Sequence, residues 1–232
     1  MILEMKVIFL NTWNGEISEG IADFIKEHSP STEVFCFQEA YDKMQMMCKE
    51  LLPNYRMIKV YKRLAEDNDF PQATYLRNDL ELLSSALVLE KQQGTGLGIY
   101  TGIKMGNNIV HLCNFHGTAR PGDKLDTPQR ITQSQGLIDF FKDKNGPKII
   151  GGDFNLLPET KSVSMFEENG YRDLIRDFKI RTTRNRLSWE MYPDNKQYYC
   201  DYVFVSPDVN VREFSVPKNE ISDHLPLILT VE

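Results

Sequence analysis

The chain has 232 residues, of which 41% are hydrophobic and 26% are charged, a composition that argues against a fibrous or a disordered protein. A formal net charge of −6 at pH 7 lacks the basic signature of a protein that binds nucleic acid mainly by charge, although a local basic patch stays compatible with it. The length suits a single domain, and we expect residues 1–232 to form one.

The N-terminus carries an acidic residue, Glu4, and leads directly into a strand-like segment, without the basic region and cleavage site of a signal peptide. No apolar run in the sequence approaches the length that spans a bilayer. We therefore expect a protein that is cytoplasmic or already processed, and we expect it to be a monomer. Its cysteines lack the close spacing of a zinc site and are predicted to be buried free thiols: Cys36, Cys48, Cys113 and Cys200.

The first predicted elements alternate between strands and the helices that cover them. Residues 6–10 are apolar almost throughout, which is typical of a strand buried on both faces. Residues 17–25 carry apolar side chains at helical spacing, and residues 34–37 form a second strand. Residues 44–51 repeat the helical pattern. This order predicts a covered sheet near the N-terminus.

The middle of the chain reads as a polar segment followed by a meander. Residues 62–79 are polar and varied, and we expect a loop on the substrate side. Three strand-like runs at 82–89, 97–103 and 109–115 are separated by glycines and predict antiparallel pairing. Thr127 is predicted to cap a helix that begins at Pro128.

The stretch at residues 148–155 is an apolar strand that is predicted to break at Gly151 and Gly152. The turn would aim the carboxylate of Asp153 and the amide of Asn155 off the end of a buried sheet, where catalytic groups are often mounted. Both residue types also favour turns and helix caps, so a purely structural role is an alternative.

The last third of the chain adds a helix and three strands. A helix around residues 163–168 is predicted to end in a left-handed cap at Gly170. Residues 181–186 contain three arginines, for which a solvated face is the favoured interpretation and a binding site the alternative. Strands are predicted at 202–205 and 227–231, with residues 211–216 able to pair with the former.

Polar side chains recur next to the ends of the predicted strands. Each has an ordinary explanation as a turn, cap or core residue, but one shared site explains the whole set more economically. The set comprises Asn14, Glu39, His116, Asp153, Asn155, Asp201, Asp223 and His224.

Five motifs in this order resemble the endonuclease/exonuclease/phosphatase superfamily, which includes pancreatic deoxyribonuclease, abasic-site endonucleases, neutral sphingomyelinases and inositol polyphosphate phosphatases. They are Thr12-Trp13-Asn14, Phe37-Gln38-Glu39, Gly152-Asp153-Phe154-Asn155, Asp201-Tyr202 and Ser222-Asp223-His224. The resemblance spans nearly the whole chain. It implies an α/β (α+β) fold, a four-layer α-β-β-α sandwich of two packed mixed β-sheets with the active site at one end.

The resemblance also implies a metal site. Glu39 would be the main ligand of Mg²⁺ or Mn²⁺, with Asn14 and Asp223 nearby, and such hard cations do favour oxygen ligands.

Catalytic roles follow from the same resemblance. Asp153 would orient or deprotonate the attacking water, Asn155 would donate to the phosphoryl group, and Asp201 would orient His224. His116 matches a second histidine of the deoxyribonuclease and sphingomyelinase branches, and either it or a metal-bound water protonates the leaving group. Arg130 and Gln133 are predicted to support the loop at 117–126.

We therefore predict a divalent-metal-dependent phosphoester hydrolase, of the phosphodiesterase or nuclease type, that uses direct in-line attack of water. The alternatives are a phosphomonoesterase, a phospholipid hydrolase of the sphingomyelinase kind, and a catalytically silent binding module. Residues 76–90 depart from the family pattern, so the sequence leaves the phosphoester substrate open. Nucleic acid is one such substrate that the global charge does not favour.

Overall fold

The structure, a computed structural model, describes residues 4–60, 63–65, 68–69 and 71–232. Its strands are β1 Met5–Asn11, β2 Val34–Gln38, β3 Tyr55–Val60, β4 Arg63–Ala65, β5 Asn68–Asp69, β6 Gln72–Arg77, β7 Leu82–Val88, β8 Leu97–Met105, β9 Asn108–His116, β10 Lys148–Asp153, β11 Arg172–Asp173, β12 Asp201–Val205, β13 Val211–Ser215 and β14 Leu227–Val231. Its α-helices are α1 Ser18–His28, α2 Asp42–Leu51, α3 Pro128–Phe141, α4 Lys161–Glu168, α5 Leu174–Asp177 and α6 Arg186–Met191.

Twelve of these strands form two six-stranded sheets. The first sheet has the order β13-β14-β1-β2-β6-β3, and the second has the order β11-β12-β10-β9-β8-β7. Each sheet is antiparallel except for one central parallel pair, β1 with β2 in the first sheet and β9 with β10 in the second. Both sheets are therefore mixed, as the resemblance implied.

Alternation along β1 shows how the layers are built. Val7 and Phe9 join the large apolar cluster between the sheets, whereas Ile8 and Leu10 point outward into a second cluster with the apolar faces of α1 and α2. On the far side, Leu137 of α3 packs with the second sheet in the large cluster, together with residues of α4. The result is the predicted four-layer sandwich.

The glycines at 151 and 152 lie inside β10, so the prediction that the strand breaks there is wrong. A Cβ on Gly151 would lie 2.7 Å from the ring of Phe9 on the opposite sheet, so this glycine permits the close approach of the two sheets. Gly152 has a φ of +131°, and a Cβ there would lie 2.1 Å from the carbonyl oxygen of Phe115. The strand continues to Asp153, and the left-handed residue is Asn155 with a φ of +56°.

Several other local predictions are confirmed. Strands β7, β8 and β9 form the antiparallel meander. The Thr127 hydroxyl accepts a hydrogen bond from the Arg130 N–H and caps α3, and Gly170 follows α4 with a φ of +84°. The four cysteines are buried and free. Within the described part of the chain, no helix has the length and apolar character needed to cross a membrane.

Three strand predictions need correction. Residues 72–77 of the predicted loop form strand β6, which pairs with β2 and β3, whereas Lys62 lies outside the described residues. Strand β3 was not predicted, because its alternating half-buried pattern contains charged side chains. Strand β13 pairs with β14 in the first sheet. It does not pair with β12, because β12 belongs to the second sheet.

Candidate active site

Asp153, the last residue of β10, lies buried at the centre of a polar cluster with 2% of its surface exposed. Its Oδ1 accepts the backbone N–H of Asn155 at 2.9 Å, and its Oδ2 accepts the Nδ2–H of Asn11 at 3.0 Å. Nε2 of His116 and Nε2 of His224 lie 3.7 Å and 3.8 Å from Oδ2.

Opposing effects act on the pKa of Asp153. Burial raises it, but the surrounding His224, His116, Lys124 and Arg184 outweigh burial and hold it well below its usual range. Asp153 is therefore a carboxylate that stays ionised in a buried position.

Asn11 joins Asp153 to Glu39. The same Nδ2 atom that donates to Asp153 also donates to Oε1 of Glu39 at 3.1 Å, so one amide connects carboxylates from the ends of β2 and β10. Glu39 has a φ of +52° and lines the cleft. The carboxyl ends of β1, β2 and β10 consequently meet at one edge of the sandwich.

The residue that contacts Glu39 and Asp153 is Asn11, three residues before the predicted site residue Asn14. Asn14 lies in the short 3-10 turn Trp13–Gly15, and its Oδ1 is buried without a hydrogen-bond partner among the described residues. Polar residues at strand ends were predicted to form the site. Asn11 fits this prediction, because β1 extends one residue beyond the predicted strand and ends at Asn11.

His224 and Asp201 form a buried pair. Nδ1 of His224 lies 2.9 Å and 3.1 Å from the two carboxylate oxygens of Asp201. Burial and the Arg184 guanidinium lower the pKa of His224, but the carboxylates of Asp201 and Asp223 outweigh them and raise it well above its usual range. Arg184 lies 2.7 Å from Nε2 and can only donate, so in the neutral ring Nε2 accepts and the proton resides on Nδ1.

Arg184 is a site residue, although the sequence favoured a solvated face for the arginines at 181–186. Its Nη2 donates to Oδ2 of Asp223 at 2.7 Å, and 8% of its surface is exposed. The solvated-face interpretation does hold for Arg186, whose exposed guanidinium pairs with Glu190 and Glu220. The arginine run was a usable signal, but it did not show which of its members faces inward.

Asn155 and Lys124 form a second unforeseen contact. Nζ of Lys124 donates to Oδ1 of Asn155, and Nδ2 of Asn155 donates to the carbonyl oxygen of Gly117 at 3.0 Å. One N–H of the Asn155 amide is therefore already used.

The loop at 117–126 carries Lys124, and side chains of helix α3 hold it in place. Arg130 donates to several loop carbonyls, including those of Ala119 and Pro121, and Oε1 of Gln133 accepts the Thr118 N–H at 3.2 Å. The predicted supporting role of Arg130 and Gln133 is confirmed by these contacts.

His116, which precedes the loop, is buried, and burial lowers its pKa against the opposing effect of Asp153 and Glu39.

Several of these side chains line a cleft of about 420 Å³. One wall is a bridge between two loops: Nδ2 of Asn195 and Nε2 of Gln197 both donate to the carbonyl oxygen of Gly122, at 3.1 Å and 2.7 Å. Trp189 holds this wall by donating to the carbonyl oxygen of Gln197 at 2.9 Å. The lining includes Trp13, Glu39, Arg120, Lys124, Asp153, Asn155, Arg184, Tyr192, Asn195, Gln197, Asp223 and His224.

Two groups of side chains could hold a cation. Donor atoms of Asp153, Cys200, Asp201 and His224 lie within 4.8 Å of one another. Cys200, Asp201 and His224 already hydrogen-bond to each other, and burial raises the pKa of the Cys200 thiol, which disfavours the thiolate that a metal needs.

Glu39 fits a hard divalent cation better. Its carboxylate faces the cleft, and it makes no salt bridge to any cationic side chain in the described part of the chain. Asp223 faces the same cleft and accepts from Arg184 through only one of its two carboxylate oxygens. Carboxylate oxygens of this kind suit Mg²⁺ or Mn²⁺.

Comparison with known proteins gives one family and one fold. The family model described as the endonuclease/exonuclease/phosphatase family matches residues 8–224. No curated protein sequence gives a significant match.

Three solved structures illustrate the shared fold. A protein of that family from Bacteroides thetaiotaomicron is 18% identical with a TM-score of 0.79, and the match covers 98% of this chain and 97% of that one. A mannosyl-6-phosphatase from the same bacterium is 18% identical with a TM-score of 0.75, covering 98% and 99%. The human nocturnin catalytic domain with bound sulfate is 17% identical with a TM-score of 0.70, covering 99% and 94%.

Proposed function

Because the chain belongs to the endonuclease/exonuclease/phosphatase family, we propose that it is a divalent-metal-dependent phosphoester hydrolase that uses direct in-line attack of water. The observation that carries this proposal is the convergence on Asp153. The amide of Asn11 and the imidazoles of His116 and His224 surround one buried, ionised carboxylate that lines the cleft. A carboxylate in this position can accept a hydrogen bond from water and aim its lone pair at a phosphorus atom.

The metal proposal rests on the oxygen ligands of the cleft. Glu39 and Asp223 would hold Mg²⁺ or Mn²⁺, and Asn14 remains a predicted third ligand. When bound, the ion would neutralise charge on the phosphoryl oxygens, which makes an anionic phosphoester a better electrophile.

The chain's own groups would perform the proton transfers. Asp201 orients His224 through Nδ1, which places Nε2 beside Arg184 and Asp153. His116, on the other side of Asp153, is our candidate for the acid beside the leaving group. Asn155 has one N–H free of the Gly117 contact and would donate it to the phosphoryl group.

A phosphodiester is the first candidate substrate, since Asp153 and the neighbouring His116 supply separate groups for water activation and for leaving-group protonation. A phosphomonoester of a small molecule is the second candidate. The wall formed by Asn195, Gln197 and Gly122 favours it, because a wall limits the size of the leaving group. The mannosyl-6-phosphatase of similar fold acts, by its name, on such a monoester.

Hydrolysis of bis-p-nitrophenyl phosphate and p-nitrophenyl phosphate by the purified chain tests the proposal. We expect turnover with Mg²⁺ or Mn²⁺ and none after chelation, and we expect Glu39→Gln and His224→Ala to abolish it. Glu190→Gln is the matched control, since Glu190 is an exposed carboxylate paired with Arg186 away from the cleft. Unchanged rates in folded Glu39→Gln and His224→Ala proteins would refute the assigned site.

A further inference from the structure

Arg184 places a fixed positive charge in the wall of the cleft. Arg184 is 8% exposed as a residue, and its guanidinium contacts Oδ2 of Asp223 and Nε2 of His224, both at 2.7 Å. None of the sequence motifs assigned Arg184 a role in the reaction. Its position beside Asp223 and His224, two candidate site residues, indicates that it has one.

The guanidinium is held in place by side chains as well as by backbone. Oγ of Ser188 accepts from Nε at 3.0 Å and from Nη2 at 2.6 Å, and Sγ of Cys200 accepts from Nη1 at 3.4 Å. The backbones of Arg184 and His224 also form an isolated antiparallel bridge. A charge fixed in this way needs little reorganisation when a ligand binds.

Two cationic groups line the cleft and have weak partners there. Nη1 of Arg184 lies 2.7 Å from Nε2 of His224, and Nζ of Lys124 donates to Oδ1 of Asn155. An anionic oxygen is a stronger acceptor than an imidazole nitrogen or an amide oxygen. An anion that enters the cleft would therefore replace these partners of Arg184 and Lys124.

We propose that Arg184, assisted by Lys124, binds the phosphoryl oxygens of the substrate. This inference rests on the proposed function, because it takes the ligand to be a phosphoryl group. Both cationic side chains line the cleft together with Asp153 and Asn155, the candidate catalytic groups.

Calorimetric titration of the full chain with inorganic phosphate tests the anion site, once with Mg²⁺ and once with a chelator. Arg184→Gln should weaken phosphate binding roughly 10- to 100-fold in both conditions, because it removes a charge-assisted donor. Arg184→Lys keeps the charge without the planar fork and should give an intermediate loss. Arg186→Gln is the control, since the exposed Arg186 should leave the affinity within about twofold.

Ser188→Ala provides a milder variant, because it removes the hydroxyl that holds the guanidinium and keeps the charge. We expect it to weaken phosphate binding by roughly three- to tenfold. If Arg184→Gln does not fold, as circular dichroism would show, Ser188→Ala and Arg184→Lys decide the question. Unchanged phosphate affinity in these folded variants would overturn the anion site.

Phosphate binding is measured without turnover. A chain that binds phosphate through Arg184 but hydrolyses no phosphoester would therefore contradict the proposed function and leave this inference standing.

Discussion

The side-chain amide of Asn11 donates a 3.0 Å hydrogen bond to the carboxylate of Asp153, and this contact joins the two sheets at the edge that carries the candidate site. The two residues are separated by 142 positions in the sequence. The geometry of the site therefore depends on the packing of the sandwich, and changes in either the contact or the packing should have measurable effects.

Asn11→Ala should lose catalytic activity while keeping the fold. The same amide nitrogen holds Glu39 and Asp153, so its removal leaves both carboxylates without their shared donor. We expect kcat/KM for bis-p-nitrophenyl phosphate to fall by roughly 100-fold, the scale of a lost transition-state contact. Asn14→Ala is the matched comparison, and a larger loss there than in Asn11→Ala would return the leading role to Asn14.

Gly151→Ala should destabilise the fold because the added Cβ would lie 2.7 Å from the ring of Phe9. We expect a loss of roughly 1–3 kcal/mol in the free energy of unfolding, measured by urea denaturation. Shortening the opposing side chain in a Phe9→Leu, Gly151→Ala double variant should recover part of this loss relative to the sum of the single variants. Additive effects would show that the two sheets do not meet at this pair.

Asp173→Asn should stabilise the protein above pH 6 and change little near pH 3.5. Burial raises the pKa of Asp173 to about 6, so the folded state keeps a proton that the unfolded chain releases near pH 4. Because the folded state binds more protons in this window, stability falls as the pH rises from about 4 to about 6, by roughly 2 kcal/mol in total. The asparagine removes this loss and keeps an oxygen to accept the Ile175 N–H.

Thermal melts between pH 3.5 and pH 8 measure this effect. Asp23→Asn, at an exposed position on α1, serves as the control. If wild type and Asp173→Asn melt in parallel across the whole range, the buried carboxyl is not the source of the pH dependence.

Removing the hydrogen bonds to the Gly122 carbonyl oxygen should change the substrate preference and leave the catalytic mechanism unchanged. In an Asn195→Ala, Gln197→Ala double variant both donors to the Gly122 carbonyl are lost. We expect the ratio of activity on bis-p-nitrophenyl phosphate to activity on p-nitrophenyl phosphate to rise several-fold, roughly three- to tenfold. Asn210→Ala, which removes a distant surface amide, should leave the ratio unchanged. A constant ratio in the double variant would show that the wall does not select by size.

Much of the fold could be predicted from local pattern. The apolar runs at β1, β2 and β10 and the cap at Thr127 follow rules that act within a few residues, and the strand ends identified Glu39 and Asp153. These features need no knowledge of distant contacts. The same holds for the contact of His224 with Asp201, because the family resemblance paired these two residues.

The rest depends on contacts that no local pattern encodes. Arg184 enters the site because its loop pairs with the backbone of His224, 40 residues later, while its neighbour Arg186 faces solvent. Lys124 reaches Asn155 only because helix α3 holds its loop in place. Gly151 looked like a turn residue because the ring it accommodates belongs to the other sheet.

The most direct test of the account is the Mg²⁺-dependent turnover of bis-p-nitrophenyl phosphate by Asp153→Asn beside wild type. The substitution keeps the shape of the side chain and removes the charge that accepts from water and from Asn11. We predict that kcat falls by roughly 100- to 10,000-fold, the usual scale for a lost catalytic base, while the thermal unfolding transition stays cooperative. A folded Asp153→Asn protein that turns over at the wild-type rate would contradict the account.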